Sequence, residues 1–352
     1  MHDQSIKVKK QIISILVLIL LIAITFFFYL RNYSFHELWN GLKNANYAYL
    51  GAGFGMMVLF VLCEAINISL ILKALGSPRP FIRCIEYSNL GFYFSSITPS
   101  ASGGQPAQIY YMKQDNIPVA LSSITIFFIV YVYQIVMILF GIIMSFLQYA
   151  AAVDFIHKLN YLFLFGVIVN TLVIFLLFTF MFSNKAVPFI TRLIIKAGER
   201  LRIIKNGDQL KSKFDQMLTS FHEKSLILKT HTRLFIKILL ITLIQMVSLN
   251  SIPSLVYLSM GYPLTDFAKL FTCQSLLTIS VSAIPLPGAE GVTQGGFLQV
   301  FDAYFPKEML TYAMLINRFI SFYLPLLLSL MIYILTYYRT TKQSVRGDDF
   351  DQ

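Results

Sequence analysis

The stretch Ile97-Thr98-Pro99-Ser100-Ala101-Ser102-Gly103-Gly104-Gln105 interrupts one long apolar run, and Ile284-Pro285-Leu286-Pro287-Gly288-Ala289-Glu290-Gly291 interrupts another. The two stretches share a spacing, because Pro99-x-x-x-Gly103 recurs 188 residues later as Pro287-x-x-x-Gly291. Lipid cannot hydrogen-bond the free backbone groups of a broken helix, so such breaks persist in a membrane only where protein or a wet cavity covers them. Matched breaks in the two halves of a chain therefore point to a transport site.

The composition places the chain in a membrane. It is 57% hydrophobic and 13% charged, with a mean hydropathy of +0.68, whereas soluble domains average about 25% charged residues. We therefore predict an all-α polytopic integral membrane protein. The net charge of +11 is assigned to loops near lipid head groups rather than to nucleic-acid binding. The three cysteines and five histidines show no metal-ligand spacing, and nucleotide-binding motifs are missing, so we expect no metal site and no cofactor.

Six segments are long and apolar enough to span a bilayer, which requires about 20 residues. These segments are 11–30, 47–72, 119–148, 160–182, 234–259 and 311–338. Two further apolar segments, 81–112 and 264–300, contain the breaks, and each is either a re-entrant hairpin or a pair of short crossings. We expect a single membrane domain over 1–352, with a first half of about 11–148 and a second half of about 160–338.

Basic residues predict the orientation, because loops rich in Lys and Arg stay in the cytoplasm. One side of the predicted topology carries 21 of the 28 Lys and Arg residues, the other side carries five, and Lys237 and Arg318 fall inside spans. Both termini are therefore expected on the cytoplasmic side of the membrane. We expect this membrane to be a bacterial plasma membrane. Three spans separate the two breaks, so the breaks enter from opposite sides, as in an inverted-topology repeat. The alternative is two unrelated helix kinks.

The segment 185–233 is the one sizeable polar region. Its apolar residues follow helical spacing on both sides of an Asn206-Gly207-Asp208 turn, which predicts two amphipathic helices with basic faces. Such helices bind the anionic inner leaflet. The alternative is a pair of solvated loop helices that only set the topology.

Charged residues inside spans mark function, because an isolated charge in hydrocarbon is costly. Glu64 lies near the middle of the second span, and Arg318 lies deep in the last one. We expect Arg318 to pair with Glu290 or with Glu64; the alternatives are a structural hydrogen bond for Glu64 and snorkelling for Arg318. Polar contacts between helices are expected for Gln134, Gln245, Ser248, Asn250 and Ser251.

The first motif, extended to Ser96–Lys113, resembles a signature of the flippase-like membrane domain of lysylphosphatidylglycerol synthases, the multiple peptide resistance factors. Ala283–Gly291 resembles the second signature of that family, and Asn317-Arg318 followed by Tyr323-Leu324-Pro325 resembles its last helix. The chain departs from the family at Gln108, where relatives often carry a basic residue, and at Gln294, where they often carry glutamate. Glu290 would share a helical face with Gln294 and replace that charge.

The resemblance implies a function in lipid metabolism and antibiotic resistance. In full-length relatives, a membrane domain moves aminoacylated phosphatidylglycerol to the outer leaflet, and a cytosolic domain makes that lipid from charged tRNA. Because the sequence ends at Gln352, we expect the membrane half alone: a translocase for a phospholipid such as lysyl-phosphatidylglycerol, without catalytic residues.

Two alternatives remain open. One is a phosphatidylglycerol lysyltransferase that uses lysyl-tRNA, and the other is a scaffold that recruits a lipid synthase through 185–233. The residues expected to bind substrate are Glu64, Pro99, Gly103, Gly104, Gln105, Gln108, Pro287, Gly288, Glu290, Gly291, Gln294 and Arg318.

Overall fold

The computed structural model describes residues 45–182 and 231–348, together with Leu20, Lys43 and Leu228. The helices of the described part are α1 (Tyr47–Ala74), α2 (Phe81–Ile97), α3 (Gly104–Gln114), α4 (Val119–Leu147), α5 (Tyr149–Phe182), α6 (Thr232–Asn250), α7 (Ile252–Ser259), α8 (Phe267–Val281), α9 (Val292–Phe301), α10 (Lys307–Arg318) and α11 (Leu324–Asp348). Apart from Leu20, Leu228 and residues 231–233, the predicted span 11–30 and amphipathic helices 185–233 lie outside the described residues.

Five helical stretches of the described chain are long and apolar enough to cross a membrane. They are Tyr47–Ala74, Val119–Leu147, Tyr149–Phe182, Thr232–Ser259 and Lys307–Tyr337. Each overlaps one of the predicted spans, and the prediction of an all-α polytopic membrane protein is confirmed. The α5 helix starts earlier than expected, but its backbone is distorted at Leu159, next to the predicted start at 160. Large apolar side chains on α5 point outward, as a lipid-facing surface requires.

The first break lies at the tip of a re-entrant hairpin, hairpin 1, formed by α2, the 3₁₀ turn Pro99–Ala101 and α3. Its arms have 17 and 11 residues, fewer than the about 20 that a crossing needs. The arms are antiparallel, because a Cβ on Gly104 would meet Ser95 near the tip, whereas Gln108 donates to the Tyr87 carbonyl farther from it. Arg79 closes the base by donating to the Asp115 carbonyl at 2.8 Å. The alternative of two short crossings is therefore wrong for this segment.

The second break forms the tip of an equivalent structure, hairpin 2, built from α8, the 3₁₀ turn Pro287–Ala289 and α9. Its arms have 15 and 10 residues. They also run antiparallel: Cys273 contacts the Tyr304 hydroxyl at 3.9 Å, and a Cβ on Gly296 would lie 2.6 Å from Leu277. Hairpin 2 is therefore re-entrant as well.

The two hairpins enter from opposite ends of the helix bundle and meet at their tips. The C-terminal end of α1 leads into hairpin 1. The other end of α1 lies beside the end of α7, where the Asn46 N–H donates to the Ser259 carbonyl at 2.7 Å, just before hairpin 2 begins. The turns Pro99–Ala101 and Pro287–Ala289 contact each other. Tips that meet while their bases lie at opposite ends have the arrangement of an inverted repeat.

The backbone of the two tips supports this equivalence. Thr98 has φ −115° and ψ 147°, and Leu286 has φ −119° and ψ 146°. The residues two positions later, Ser100 and Gly288, have φ values of 52° and 58°. Left-handed backbone is uncommon for residues other than glycine. Its presence at both tips argues for related hairpins and against two unrelated kinks.

Cysteine labelling tests the orientation of the hairpins. Lys113 is exposed at the base of hairpin 1, and Leu264 is 69% exposed at the base of hairpin 2, whereas the native Cys63, Cys84 and Cys273 are buried. If the basic loops are cytoplasmic, a membrane-impermeant maleimide should label Leu264→Cys in intact cells and Lys113→Cys only after permeabilisation. Labelling of both variants in intact cells would refute the opposed orientation.

Candidate functional site

A buried ion pair joins the tip of hairpin 2 to the last membrane helix. Arg318 ends α10, and its Nη2 and Nε donate to Glu290 Oε2 at 2.7 and 3.2 Å. Nη2 also donates to the Gly288 carbonyl at 2.5 Å. The Glu290 side chain is fully buried, and that of Arg318 is 9% exposed. The expected contact between Arg318 and Glu290 is present.

A π-helical turn places a second residue of the last helix on the same carboxylate. The turn spans Phe319–Tyr323, and its wider winding brings residues five positions apart onto one face. Arg318 and Tyr323 are five positions apart, and the Tyr323 hydroxyl donates to Glu290 Oε1 at 2.6 Å. The Gln294 amide also donates to Oε1, and Gln294 Oε1 accepts from the Gly291 N–H at 2.8 Å. Glu290 therefore accepts hydrogen bonds from three side chains.

Gly288 has a steric role in this cluster. The φ of Gly288 is 58°, and Ser100 at the other tip adopts a similar φ of 52°. The backbone conformation alone therefore does not require glycine at position 288. A Cβ at position 288 would collide with the ring of Phe322. That ring lies 3.9 Å from the Arg318 guanidinium carbon, in cation–π contact. Glycine therefore allows Phe322 to pack over the guanidinium.

The guanidinium retains binding capacity. Its hydrogen bonds with described residues use Nε and Nη2, and Nη1 makes none with them. Arginine holds planar oxyanions such as carboxylates and phosphates through paired N–H donors. Arg318 can therefore bind a phosphate oxygen through Nη1, or exchange Glu290 for a phosphate. We call Gly288, Glu290, Gln294, Arg318, Phe322 and Tyr323 the arginine cluster.

Glu64 belongs to a different part of the molecule. Its Oε1 accepts from Gln108 Nε2 at 2.7 Å, between α1 and α3, and it makes no salt bridge with a described residue. A Cβ on Gly91 would collide with the Gln108 amide, so the close approach of α2 to α3 positions this amide. Of the two partners expected for Arg318, Glu290 is therefore the actual one.

The remaining predicted site residues lie around the two tips. Pro99 is exposed and Gln105 is half-buried, while Gly104 is buried against hairpin 1 and Pro287 is buried in the second tip. The Gly103 N–H donates to Thr98 Oγ1 at 2.8 Å and closes the first tip. The structure therefore divides the predicted site into three groups: the first tip, the arginine cluster and the pair Glu64–Gln108.

One structural expectation for Glu290 is wrong. Glu290 does not share a helical face with Gln294, because it has an extended backbone and α9 begins only after Gly291, whose φ is 82°. The side chains of Glu290 and Gln294 are nevertheless in contact, because the Gln294 amide donates to the Glu290 carboxylate. The sequence pattern did not single out Phe322 and Tyr323 as site residues. Aromatic residues shortly after an intramembrane arginine are a usable signal, because they can cover its guanidinium.

The comparisons with known proteins agree with this architecture. Residues 11–329 match the family described as the lysylphosphatidylglycerol synthase TM region. A UPF0104 membrane protein of Archaeoglobus fulgidus is 26% identical over 322 residues, which cover 88% of this chain and 92% of that protein. A UPF0104 membrane protein of Pyrococcus horikoshii is 24% identical over 280 residues, covering 78% and 82% of the two chains. The chain belongs to the family of the lysylphosphatidylglycerol synthase transmembrane region.

Proposed function

We propose that this protein moves a phospholipid between the leaflets of the membrane, with Arg318 as the residue that binds the lipid phosphate. The observation that carries the proposal is the buried Arg318–Glu290 pair at the point where two opposed hairpins meet. Transporters built from inverted repeats bind their substrates at such junctions, near the bilayer midplane. A charged residue in this position also needs a functional reason, because it is costly to bury.

Exchange of the Glu290 carboxylate for a lipid phosphate on Arg318 would provide a transport step. When Glu290 holds Arg318, both charges are compensated. A lipid phosphate that reaches Nη1 can take over the guanidinium, while Glu290 remains hydrogen-bonded to Tyr323 and Gln294. The helix starts at Gly104 and Val292 lie next to the two tips and add partial positive charge there. Release of the phosphate restores the original pair.

An apolar groove favours a lipid over a small soluble anion. A groove of about 350 Å³ lies between α4 and α5. Its lining is almost entirely apolar, and it includes Ile279, two residues before the end of α8. An acyl chain in this groove would extend along the bundle close to the second tip. Lysyl-phosphatidylglycerol is the lipid that the family description suggests for the test.

Reconstitution in liposomes tests the function directly. Purified protein in vesicles with lysyl-phosphatidylglycerol in the inner leaflet should expose that lipid to an amine reagent that cannot cross the bilayer. Protein-free vesicles, and vesicles with unmodified phosphatidylglycerol carrying a fluorescent label, show the background and the head-group preference. Equal exposure with and without protein for both lipids would refute the translocase.

A second assay addresses the enzyme alternative. The same protein is incubated with lysyl-tRNA and phosphatidylglycerol, and the lipids are separated by mass. We expect no lysyl-lipid from the translocase alone. Formation of lysyl-phosphatidylglycerol would assign the synthase activity to this chain and overturn the translocase-only proposal.

A further inference from the structure

A second polar cluster lies where the two repeats pack against each other. Helices α1 and α6 pack together, and they hold corresponding positions as the helices that precede hairpin 1 and hairpin 2. Asn67 Nδ2 donates to Thr242 Oγ1 at 3.1 Å across this interface. Asn67 is 0% exposed and Thr242 is 1% exposed. The contact fixes the register of the two helices.

The register places two more polar residues one turn away from this contact. The helices are antiparallel, as shown by the bond between Asn46 and Ser259 at the other end of the pair. Glu64 lies one turn before Asn67, and Gln245 lies one turn after Thr242. Residues three apart are neighbours on a helix face. Glu64 and Gln245 therefore lie level with each other, one turn from the Asn67–Thr242 contact, and we call these four residues the acceptor cluster.

Some acceptor oxygens of the cluster have no hydrogen-bond donor. Asn67 Oδ1 and Gln245 Oε1 are buried and make no hydrogen bond. Glu64 adds a carboxylate whose Oε1 is bonded to Gln108 and whose Oε2 makes no hydrogen bond with a described residue. A buried polar atom without a partner costs about 1–3 kcal/mol, and a positive ligand would satisfy these two oxygens together with the carboxylate.

We propose that the acceptor cluster binds a monovalent metal cation. Hard cations prefer carboxylate, carbonyl and hydroxyl oxygens, which are the groups present here. One carboxylate balances a single positive charge. A proton on Glu64 would neutralise the carboxylate, but it could satisfy only one further acceptor, whereas a cation can contact the carboxylate and both amide oxygens. Transporters with repeats bind coupling ions at the repeat interface, and this cluster lies between one helix of each repeat.

The site is distinct from the arginine cluster. Its residues come from α1 and α6, whereas the arginine cluster is formed by hairpin 2 and the last membrane helix. The described residues hold no group of three or more His, Cys, Asp or Glu side chains that suits a metal ion. The proposed site instead relies on amide oxygens, which such a group does not include. The expectation of no metal site was based on the spacing of His and Cys residues. That spacing says nothing about a site built from amide oxygens and one carboxylate.

Thermal unfolding in controlled salts tests the site. The full chain is purified in detergent with choline chloride, and NaCl, KCl or LiCl then replaces choline at constant ionic strength. A bound cation should raise Tm by a few degrees in a saturable manner with at least one of these salts, because a ligand of the native state stabilises it. Equal Tm values in all four salts, together with no saturable binding of radioactive sodium or of the potassium analogue rubidium, would refute the proposal.

Variants separate a cation site from a purely structural cluster. Glu64→Gln and Gln245→Leu should each lower the apparent cation affinity at least about tenfold, the effect of losing one charge-assisted or buried contact. Gln245→Leu removes an unpaired oxygen, so it should fold and retain or raise Tm in choline. Glu308→Gln, at an exposed position, is the matched control for the loss of a carboxylate and should respond to cations like the wild type.

The remaining outcomes also decide the question. If Glu64→Gln keeps the wild-type cation response, the carboxylate is not a ligand and the proposal fails. If Tm depends on pH between 5.5 and 8 but not on the cation, the cluster binds a proton instead. If Gln245→Leu raises Tm and retains full cation affinity, the unpaired oxygen belongs to a structural or hydrated contact, and the proposed ligand set is wrong.

Discussion

Replacing Arg318 with alanine is expected to lower the rate of lipid translocation by about tenfold to hundredfold, the range for losing a charge-assisted contact of about 1.5–3 kcal/mol. The physical reason is the lost contact between the guanidinium and the lipid phosphate. Arg318→Lys should recover only part of the rate, because an ammonium cannot form the paired planar contact. The measurement is exposure of a head-group amine in proteoliposomes of matched protein content.

The control for this prediction removes a charge elsewhere. Lys113→Ala deletes an exposed cation at the end of α3, so it should transport like the wild type. An Arg318→Ala variant that transports at the wild-type rate would remove Arg318 from the proposed step.

Folding of the arginine variants needs its own measurement. Removing one partner of a buried ion pair can cost about 3–5 kcal/mol, because the other charge remains. Glu290 keeps donors in Tyr323 and Gln294 after Arg318→Ala, which limits this loss. The double variant Arg318→Ala/Glu290→Gln removes both charges. A double variant with wild-type Tm but no transport would attribute the defect to function rather than to unfolding.

Gly104→Ala is expected to destabilise the protein by about 1–3 kcal/mol, the usual range for overpacking. A Cβ at this position would lie 2.7 Å from the Gly91 carbonyl oxygen and would collide with Ser95 Oγ. Backbone cannot move aside as a side chain can, so the arms of hairpin 1 must separate. The shift would also disturb the contact between the tips. The measurement is Tm of the purified protein, followed by its translocation rate.

Gly55→Ala is the matched control, because a Cβ at position 55 meets nothing within 4 Å. Alanine is favoured over glycine in a helix interior by about 1 kcal/mol, so Gly55→Ala should leave Tm unchanged or raise it. The two substitutions therefore have opposite expected signs despite identical chemistry. A Tm of Gly104→Ala at or above that of the wild type would show that hairpin 1 is more loosely packed than the structure indicates.

The pair Glu64–Gln108 leaves the carboxylate of Glu64 without a charged partner among the described residues. Here Gln108 donates one hydrogen bond at 2.7 Å and supplies no charge. The proposed cation between α1 and α6 would compensate this charge.

Several features of the fold are predictable from the sequence. Hydropathy located the spans within 47–182 and 234–338, because a membrane span must present enough consecutive apolar residues to match the hydrocarbon thickness. The two breaks were evident from the Pro-x-x-x-Gly spacing, because proline and glycine end helices locally. A carboxylate partner for Arg318, either Glu290 or Glu64, also followed from a general requirement, since isolated charges in hydrocarbon need partners.

Tertiary structure decided the features that depend on contacts between distant residues. Local sequence left hairpins and short crossings equally open, and the contacts between the arms of each hairpin distinguished them. The choice of Glu290 over Glu64 depended on the folded chain, which places Glu64 against Gln108 and Glu290 against Arg318. Gly288 illustrates the physical reason most clearly. Its neighbour Phe322 is 34 positions away, and a short-range pattern carries no information about a side chain that reaches it only through the folded chain.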